Sequence, residues 1–173
     1  MTTPDTGFAL VPAQPADVPL ILSLIMELAE FEELAHEVQA TPERLHAALF
    51  GDGAVAHAVV ARATDGMPAG FALYFFNFST FVGKPGLYLE DLYVRPAYRT
   101  RGLGRRLLAH LAKVAVDRDC GRMEWSVLNW NETALRVYRA IGAQSLDEWM
   151  MQRLTGEGLA RLAAFAESPL EEV

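Results

Sequence analysis

The sequence predicts an α/β protein in which a central mixed sheet carries helices on its faces. Several segments show apolar residues at helical spacing, and others are short runs of β-branched and aromatic residues bounded by turn residues. In chain order these segments predict the element order β-α-α-β-β-β-α-β-α-β-α. Strands and helices that follow one another in this way are typical of a sheet covered by helices.

The six predicted strands are separated by glycine, proline or a helical segment. The first run ends at Pro12 and is expected to form an edge strand, and the second and third runs are joined by a turn around Asp65 and Gly66. The strands are expected over residues 8–11, 54–63, 69–78, 87–94, 123–128 and 149–154.

The five predicted helices carry recognisable start and stop signals. Thr41 followed by Pro42 is typical of an N-cap and a first helical residue, and Gly142 is placed to end the fourth helix. The helices are expected after Asp17, over 42–50, over 103–116, from Asn131 to about 141, and from Thr155 to about 166.

Length and composition exclude several classes of protein. A chain of 173 residues, 51% of them hydrophobic, is long enough for one core, so we expect a single domain over 1–173 with its core at about 8–166 and a loose tail at 167–173. The net charge of −7 disfavours a nucleic-acid partner, which normally selects a basic face. With no signal segment and no apolar run of about 18 residues, we expect a cytoplasmic protein without a membrane partner. Four histidines without ligand spacing and a single cysteine predict no metal site.

A glycine-containing turn, Arg-Thr-Arg-Gly-Leu-Gly at 99–104, lies between a predicted strand and a predicted helix. Glycine allows positive φ and close backbone approach, and a helix start offers unpaired N–H groups to a phosphate. Arginines at 99, 101, 105 and 106 add positive charge there. The turn is either a tight connection or a site for a phosphate-bearing ligand. It is neither a dinucleotide fingerprint nor a phosphate loop, because Leu107 replaces the third glycine and no Gly-Lys-Ser/Thr follows.

Two adjacent carboxylates, Glu90 and Asp91, lie in the fourth predicted strand. Neighbouring strand residues point to opposite faces unless a bulge intervenes, so one carboxylate faces a layer that is otherwise apolar. Such a group is either a general base for amine chemistry or an acid at the strand end paired with an arginine.

Two further patterns have both a structural and a functional interpretation. Asn131 and Tyr138 are two turns apart on one helix face, and Tyr138 is either a proton donor in a cleft or a packed aromatic residue. The glutamates around Phe31 form either a solvated helix face or a region that selects a cationic substrate.

These features follow one another in the order of a known motif. The strand Leu-Tyr-Leu-Glu-Asp-Leu-Tyr-Val at 87–94 is followed by Arg-Pro-Ala-Tyr-Arg and by Thr-Arg-Gly-Leu-Gly-Arg-Arg-Leu-Leu, which ends at residue 108. The arrangement resembles the acetyl-CoA-binding motif of the GNAT N-acetyltransferases. Segments 72–81 and 124–131 (Glu-Trp-Ser-Val-Leu-Asn-Trp-Asn) are more narrowly similar to the spermidine/spermine and thialysine N-acetyltransferase branch, and the similarity extends from about residue 8 to 154.

The resemblance implies a GNAT fold with a mixed, mostly antiparallel sheet, acetyl-CoA as acyl donor, and a homodimer. It implies that Tyr138 is the general acid that returns a proton to the CoA thiolate. Glu90 matches a carboxylate on the amine side, and Phe31 with Glu32 match a substrate-binding pair. The residues that it assigns to acetyl-CoA are Leu92, Tyr93, Val94, Arg99, Thr100, Arg101, Gly102, Leu103, Gly104, Arg105, Glu124, Trp125, Ser126, Asn131, Glu132, Thr133 and Ala134.

The function implied is transfer of an acetyl group to a primary amine of a small cationic substrate by direct attack. Phe78 and Phe81 stand where the animal polyamine enzymes carry Tyr and Trp, so the amine is left open among polyamines, diamines, lysine and thialysine-like compounds. Two alternatives remain at this point. One is an enzyme that acetylates protein lysines or N-termini, and the other is a regulatory module that binds acetyl-CoA without turnover.

Overall fold

The structure, a computed structural model, describes residues 7–166. These residues form five strands and five α-helices, in an order close to the predicted one. The elements are β1 (Phe8–Pro12), α1 (Val18–Phe31), α2 (Pro42–Phe50), β2 (His57–Ala63), β3 (Pro68–Ser79), β4 (Lys84–Val94), α3 (Leu103–Asp117), β5 (Arg122–Trp125), α4 (Glu132–Ala140) and α5 (Gly156–Ala163).

The strands form one sheet in the order β1-β2-β3-β4-β5. The first four strands pair antiparallel with their neighbours, and β5 pairs parallel with β4. A parallel neighbour needs a crossover, and α3 supplies it between β4 and β5. The predicted class, a mixed and mostly antiparallel sheet flanked by helices, is confirmed.

Each face of the sheet is covered by different helices. On one face, Ile21 and Leu24 of α1 pack with Val60, Phe71 and Tyr93 of the sheet. The opposite face carries α3, which lies along β4 and buries its leucines at about every fourth residue. Burying such a side chain contributes about 1.5–3 kcal/mol before the loss of conformational entropy is counted. The apolar side of each amphipathic helix therefore faces the sheet.

Local signals set the helix starts. The Thr41 hydroxyl accepts a hydrogen bond from the Arg44 N–H at 3.3 Å and Pro42 follows it, as the sequence predicts for α2. Gly102 has φ of +78° directly before α3, a conformation that glycine adopts at little cost.

One predicted strand is wrong. Residues 149–154 form no strand in the described structure, and Trp149, Met150 and Met151 are exposed. A strand needs a neighbouring strand for its N–H and C=O groups, and β-branched or aromatic composition does not supply one. The sheet therefore has five strands among the described residues, where the sequence predicted six.

The chain divides into two compact units, residues 1–131 and residues 132–173. The described part of the first unit contains the whole sheet with α1, α2 and α3. The described part of the second contains α4 and α5. The predicted tail at 167–173 lies outside the described residues. Across residues 7–166, every helix is too short or too polar to cross a membrane.

Candidate active site

A β-bulge interrupts β4 at the two adjacent carboxylates. Asp91 pairs with Leu73 across β3, but the next pair is Leu89 with Tyr74, so Glu90 has no partner on β3. Asp91 is half-buried and shares the face of its partner Leu73, which packs in the α1 core. Glu90 is exposed. The bulge therefore leaves Glu90 as the extra residue of β4 and directs Asp91 to the α1 face.

Beyond the bulge, β4 has an open edge. The parallel ladder with β5 runs from Gly86 with Arg122 to Leu89 with Trp125 and ends there. Residues 91–94 continue to pair with β3 only. We call residues 90–94 the open edge of β4, because their second side has no strand beside it among the described residues. Such an edge can pair with the amide groups of an extended ligand.

The carboxylate of Asp91 has an unusual protonation equilibrium. Burial raises the pKa of Asp91 from its usual 3.8 to about 6, and the like charges of Glu90 and Glu32 contribute to the same shift. Burial also raises the pKa of Glu32. The repulsion places Glu32, at the end of α1, close to the bulge of β4. A carboxylate with a pKa near 6 can accept a proton at neutral pH.

Aromatic side chains stand beside these acids. The ring of Phe31, at the end of α1, lies 5.8 Å from that of Trp130, which follows β5. The Arg99 guanidinium lies over Phe31 at 5.1 Å and over Tyr93 at 5.6 Å. The end of α1, the bulge of β4 and the segment after β5 thus frame one acidic, aromatic region.

An ion pair fixes the end of α1 to the sheet. Arg95 donates to both carboxylate oxygens of Glu27, at 2.7 Å to Oε1 and 3.1 Å to Oε2, and also to the Pro68 carbonyl. Glu27 is one turn before Phe31 on α1, and Arg95 directly follows β4. This clamp holds the end of α1, with Phe31 and Glu32, against the strand that carries Asp91.

The glycine turn fits a phosphate group. The first intrahelical bond of α3 runs from the Arg106 N–H to the Gly102 carbonyl, so the N–H groups of residues 103–105 have no carbonyl one turn earlier to bond. A Cβ at Gly102 would meet nothing within 4 Å, so space beside this backbone is open. Thr100 also takes a positive φ, of 62°, and Arg105 is exposed. Free donors, open space and positive charge together suit a pyrophosphate.

Two of the predicted arginines bind elsewhere. Arg101 lies over the Phe8 ring at 5.1 Å, and Arg106 donates to the Phe8 carbonyl. Both side chains therefore tie the turn to β1. Arg99 donates through Nε to the Val94 carbonyl at 2.9 Å.

The predicted residues in β5 and directly after it have partners within the sheet. Glu124 forms an ion pair with Arg122 at 2.9 Å and accepts a hydrogen bond from Asn77. The Ser126 hydroxyl lies 2.8 Å from that of Tyr88. Trp125 is half-buried and ends the ladder with β4.

The remaining predicted residues belong to the second unit or adjoin it. Asn131 directly precedes α4, and its N–H donates to the Leu128 carbonyl. Glu132, Thr133 and Ala134 form the first turn of α4, and Tyr138 lies half-buried two turns after Asn131. The fourth helix therefore begins where the sequence predicts, directly after Asn131.

The family resemblance implies a carboxylate role for Glu90, and the structure adds two residues to this region, Asp91 and Trp130. The adjacent carboxylates Glu90 and Asp91 are visible in the sequence. Deciding which of them faces the α1 core requires the register of the bulge in β4. Trp130 had no signal of its own, because its contact with Phe31 joins residues 99 positions apart.

Within residues 7–166, no group of three or more His, Cys, Asp or Glu side chains is arranged to hold a metal ion.

Comparison with known proteins agrees with this arrangement. The sequence profile of the acetyltransferase (GNAT) family matches residues 22–143. The thialysine N-epsilon-acetyltransferase of Bos taurus is 40% identical over 161 residues, which cover 87% of this chain and 94% of that protein. The L-ornithine N5-acetyltransferase of Arabidopsis thaliana is 34% identical and covers 85% of this chain and 84% of its own length.

A solved structure has the same fold. An integron cassette protein from the mobile metagenome of V. cholerae superposes with a TM-score of 0.75 at 26% identity, covering 91% of this chain and 98% of that one. The family and the thialysine branch predicted from the motifs are both confirmed. The chain belongs to the GNAT family and is an acetyltransferase enzyme of that family.

Proposed function

We propose that this enzyme transfers the acetyl group of acetyl-CoA to a primary amine of a small cationic substrate. The observation that carries the proposal is Asp91, a half-buried carboxylate with a pKa of about 6 at the start of the open edge of β4. It provides a proton acceptor at neutral pH beside an edge that can hold an extended amide-containing arm.

The donor side of the proposal rests on the backbone. Acetyl-CoA supplies the acetyl group as a thioester. Its pantetheine arm carries amides, and we assign them to the backbone of Leu92, Tyr93 and Val94 because the pairing of β4 with β5 ends before these residues. The N–H groups at the start of α3, with Arg105, would hold the pyrophosphate.

The acceptor side rests on charge and aromatic surface. Glu32 and Glu90 are close enough to raise the pKa of Asp91, and Phe31 adds an aromatic ring. Such a region attracts an amine that is protonated in solution. The relatives named for thialysine and for ornithine act on side-chain amines of this kind, as their names state.

The proton route assigns two roles. A lysine-like ammonium has a pKa of about 10.4 and cannot attack while protonated. Asp91, with Glu90 beside it, is the proposed acceptor of that proton, directly or through water. Tyr138 is the proposed donor of a proton to the sulfur that leaves, and the support for it is its place in the GNAT motif.

The proposed donor and acceptor are tested together by CoA release. Purified enzyme with acetyl-CoA is incubated with spermidine, putrescine, lysine, ornithine, thialysine and a lysine-containing peptide, and the free thiol is followed. We expect turnover with at least one free amine and little with the peptide. Turnover with the peptide alone would favour a protein acetyltransferase. Acetyl-CoA binding without turnover on any amine would contradict the proposal.

We also propose that the enzyme is a homodimer. The resemblance to its branch implies this state, and large apolar side chains in the second unit support it. Trp149, Met150 and Phe165 are each more than 70% exposed, which is unusual for side chains of this size. Light scattering after size-exclusion chromatography should give the mass of two chains, and the mass of one chain would overturn the proposal.

A further inference from the structure

Phe8, the first residue of β1, lies beside the glycine turn at 99–104 although it is far from it in the chain. Val11 of the same strand packs against the α1 core, so Phe8, three residues earlier, faces the other side of the sheet, along which α3 lies. The Phe8 side chain is buried. It also lies outside residues 22–143, the segment that the family profile matches.

Three contacts of Phe8 reach the residue before the turn, a residue within it and the helix after it. The ring of Tyr98 meets the Phe8 ring edge-on, with the two centroids 5.9 Å apart. The Arg101 guanidinium lies over the Phe8 ring at 5.1 Å, and Arg106 of α3 donates to the Phe8 carbonyl. One residue of the edge strand thus ties both ends of the glycine turn to the sheet.

The backbone of the turn has a conformation that depends on such support. Thr100 has φ of 62°, a region that residues with a Cβ rarely adopt, and Gly102 follows with φ of 78°. A backbone of this kind persists where the surrounding contacts hold it. The N–H groups of residues 103–105 are aimed by the way this turn enters α3, so their direction depends on the same contacts.

Building on the proposed function, we propose that Phe8 is a positioning residue for the donor. It holds the glycine turn in the shape that binds the pyrophosphate of acetyl-CoA, and it acts through Arg101 and the backbone of the turn rather than by touching the donor. A turn that already has its bound shape loses less conformational freedom when the phosphates bind, so its affinity is higher. The edge strand β1 is therefore part of the donor site.

The effect of Phe8 should be confined to the phosphate end of the donor. Its contacts reach residues 98, 101 and 106, whereas the pantetheine arm is assigned to the backbone of residues 92–94. S-acetylpantetheine carries the same thioester and the same amides as acetyl-CoA but has no pyrophosphate and no nucleotide. Comparing the two donors therefore separates support of the phosphate site from any general weakening of the enzyme.

The test is Phe8→Leu, which keeps a buried apolar side chain and removes the ring. Calorimetric titration with CoA should show a dissociation constant raised by about 3- to 10-fold, the size expected for loss of one cation–π contact and one edge-on aromatic contact. The KM of acetyl-CoA should rise by the same factor. The KM of the amine and kcat/KM for S-acetylpantetheine should stay within about 2-fold of wild type.

Two further variants separate positioning from packing. Val11→Ala also removes apolar contacts from β1, but on the α1 side, and should lower stability without changing the affinity for CoA. Arg101→Gln keeps the Phe8 ring and removes the cation above it. If Phe8 acts through Arg101, Phe8→Leu should raise the dissociation constant of CoA much less in the Arg101→Gln background than in wild type.

Several results would overturn the role of Phe8 while the proposed function stands. These are an unchanged affinity of Phe8→Leu for CoA, an equal loss of affinity in Val11→Ala, an equal loss of kcat/KM with S-acetylpantetheine, and full additivity with Arg101→Gln. Wild-type enzyme that binds CoA but acetylates no amine would instead contradict the proposed function. Wild-type enzyme that does not bind CoA would contradict both.

Discussion

Leu73 pairs with Asp91 across β3 and β4, and the next pair along is Tyr74 with Leu89. The extra residue, Glu90, changes what the strand can do. In a regular ladder the carboxylates of Glu90 and Asp91 would point to opposite faces and influence each other little. With the bulge, Asp91 is turned to the α1 face while Glu90 and Glu32 stay close enough to raise its pKa. The same point marks the end of pairing with β5.

Asp91 should control the acid side of the pH profile. Because its pKa is raised to about 6, the carboxylate accepts protons above that pH and is neutral below it. We expect kcat/KM to fall as pH drops through about 6. Asp91→Asn should abolish this limb and lower kcat/KM at pH 8 by about 100-fold or more, as for loss of a general base. The measurement is kcat/KM for the best amine between pH 5 and 9.

Glu90→Gln is the matched control for that profile. Removing the like charge beside Asp91 should lower the pKa of Asp91, so the acid limb should move to lower pH while remaining present. Loss of the limb in Glu90→Gln together with its retention in Asp91→Asn would assign the base to Glu90 instead.

Asp91 should also make stability depend on pH. Its pKa is higher in the folded chain than in the unfolded one, so ionisation costs folding free energy as pH rises from about 4 through 6. Asp91→Asn should therefore stabilise the protein at pH 8 by about 1–3 kcal/mol, since each pKa unit is worth about 1.4 kcal/mol and the group is partly solvated. At pH 4 the gain should be much smaller. Equal gains by urea unfolding at both pH values would show that burial of the charge is not the cause.

Local features were predictable from the sequence and distant pairings were not. Thr41 and Gly102 could be placed because an N-cap and a positive-φ turn depend on a few adjacent residues. The prediction for 149–154 was wrong because a strand depends on a partner elsewhere in the chain. Which of Glu90 and Asp91 faces the apolar layer stayed open in the sequence for the same reason. The position of Asp91 depends on its register with Leu73, eighteen residues earlier.

Tyr138→Phe should affect turnover more than binding. The substitution keeps the ring, which is half-buried on α4, and removes the hydroxyl proposed to protonate the leaving sulfur. We expect kcat to fall by about 100-fold or more, with the dissociation constant of acetyl-CoA within about 2-fold of wild type. Steady-state kinetics and calorimetric titration measure the two quantities. An unchanged kcat with the best amine would remove Tyr138 from the proposed mechanism.

The clamp between Glu27 and Arg95 should link folding stability to acceptor binding. Glu27→Gln removes the charge that meets the partly buried guanidinium through two oxygens, and we expect a loss of about 1–2 kcal/mol in the free energy of unfolding. Lys113→Gln is the control, because it breaks an exposed pair with Asp117 and should cost at most about 0.5 kcal/mol.

Glu27→Gln should also raise the KM of the amine, since Phe31 and Glu32 follow one turn later, and leave the KM of acetyl-CoA near its wild-type value. A rise in the KM of acetyl-CoA alone would mean that α1 supports the donor site rather than the acceptor site.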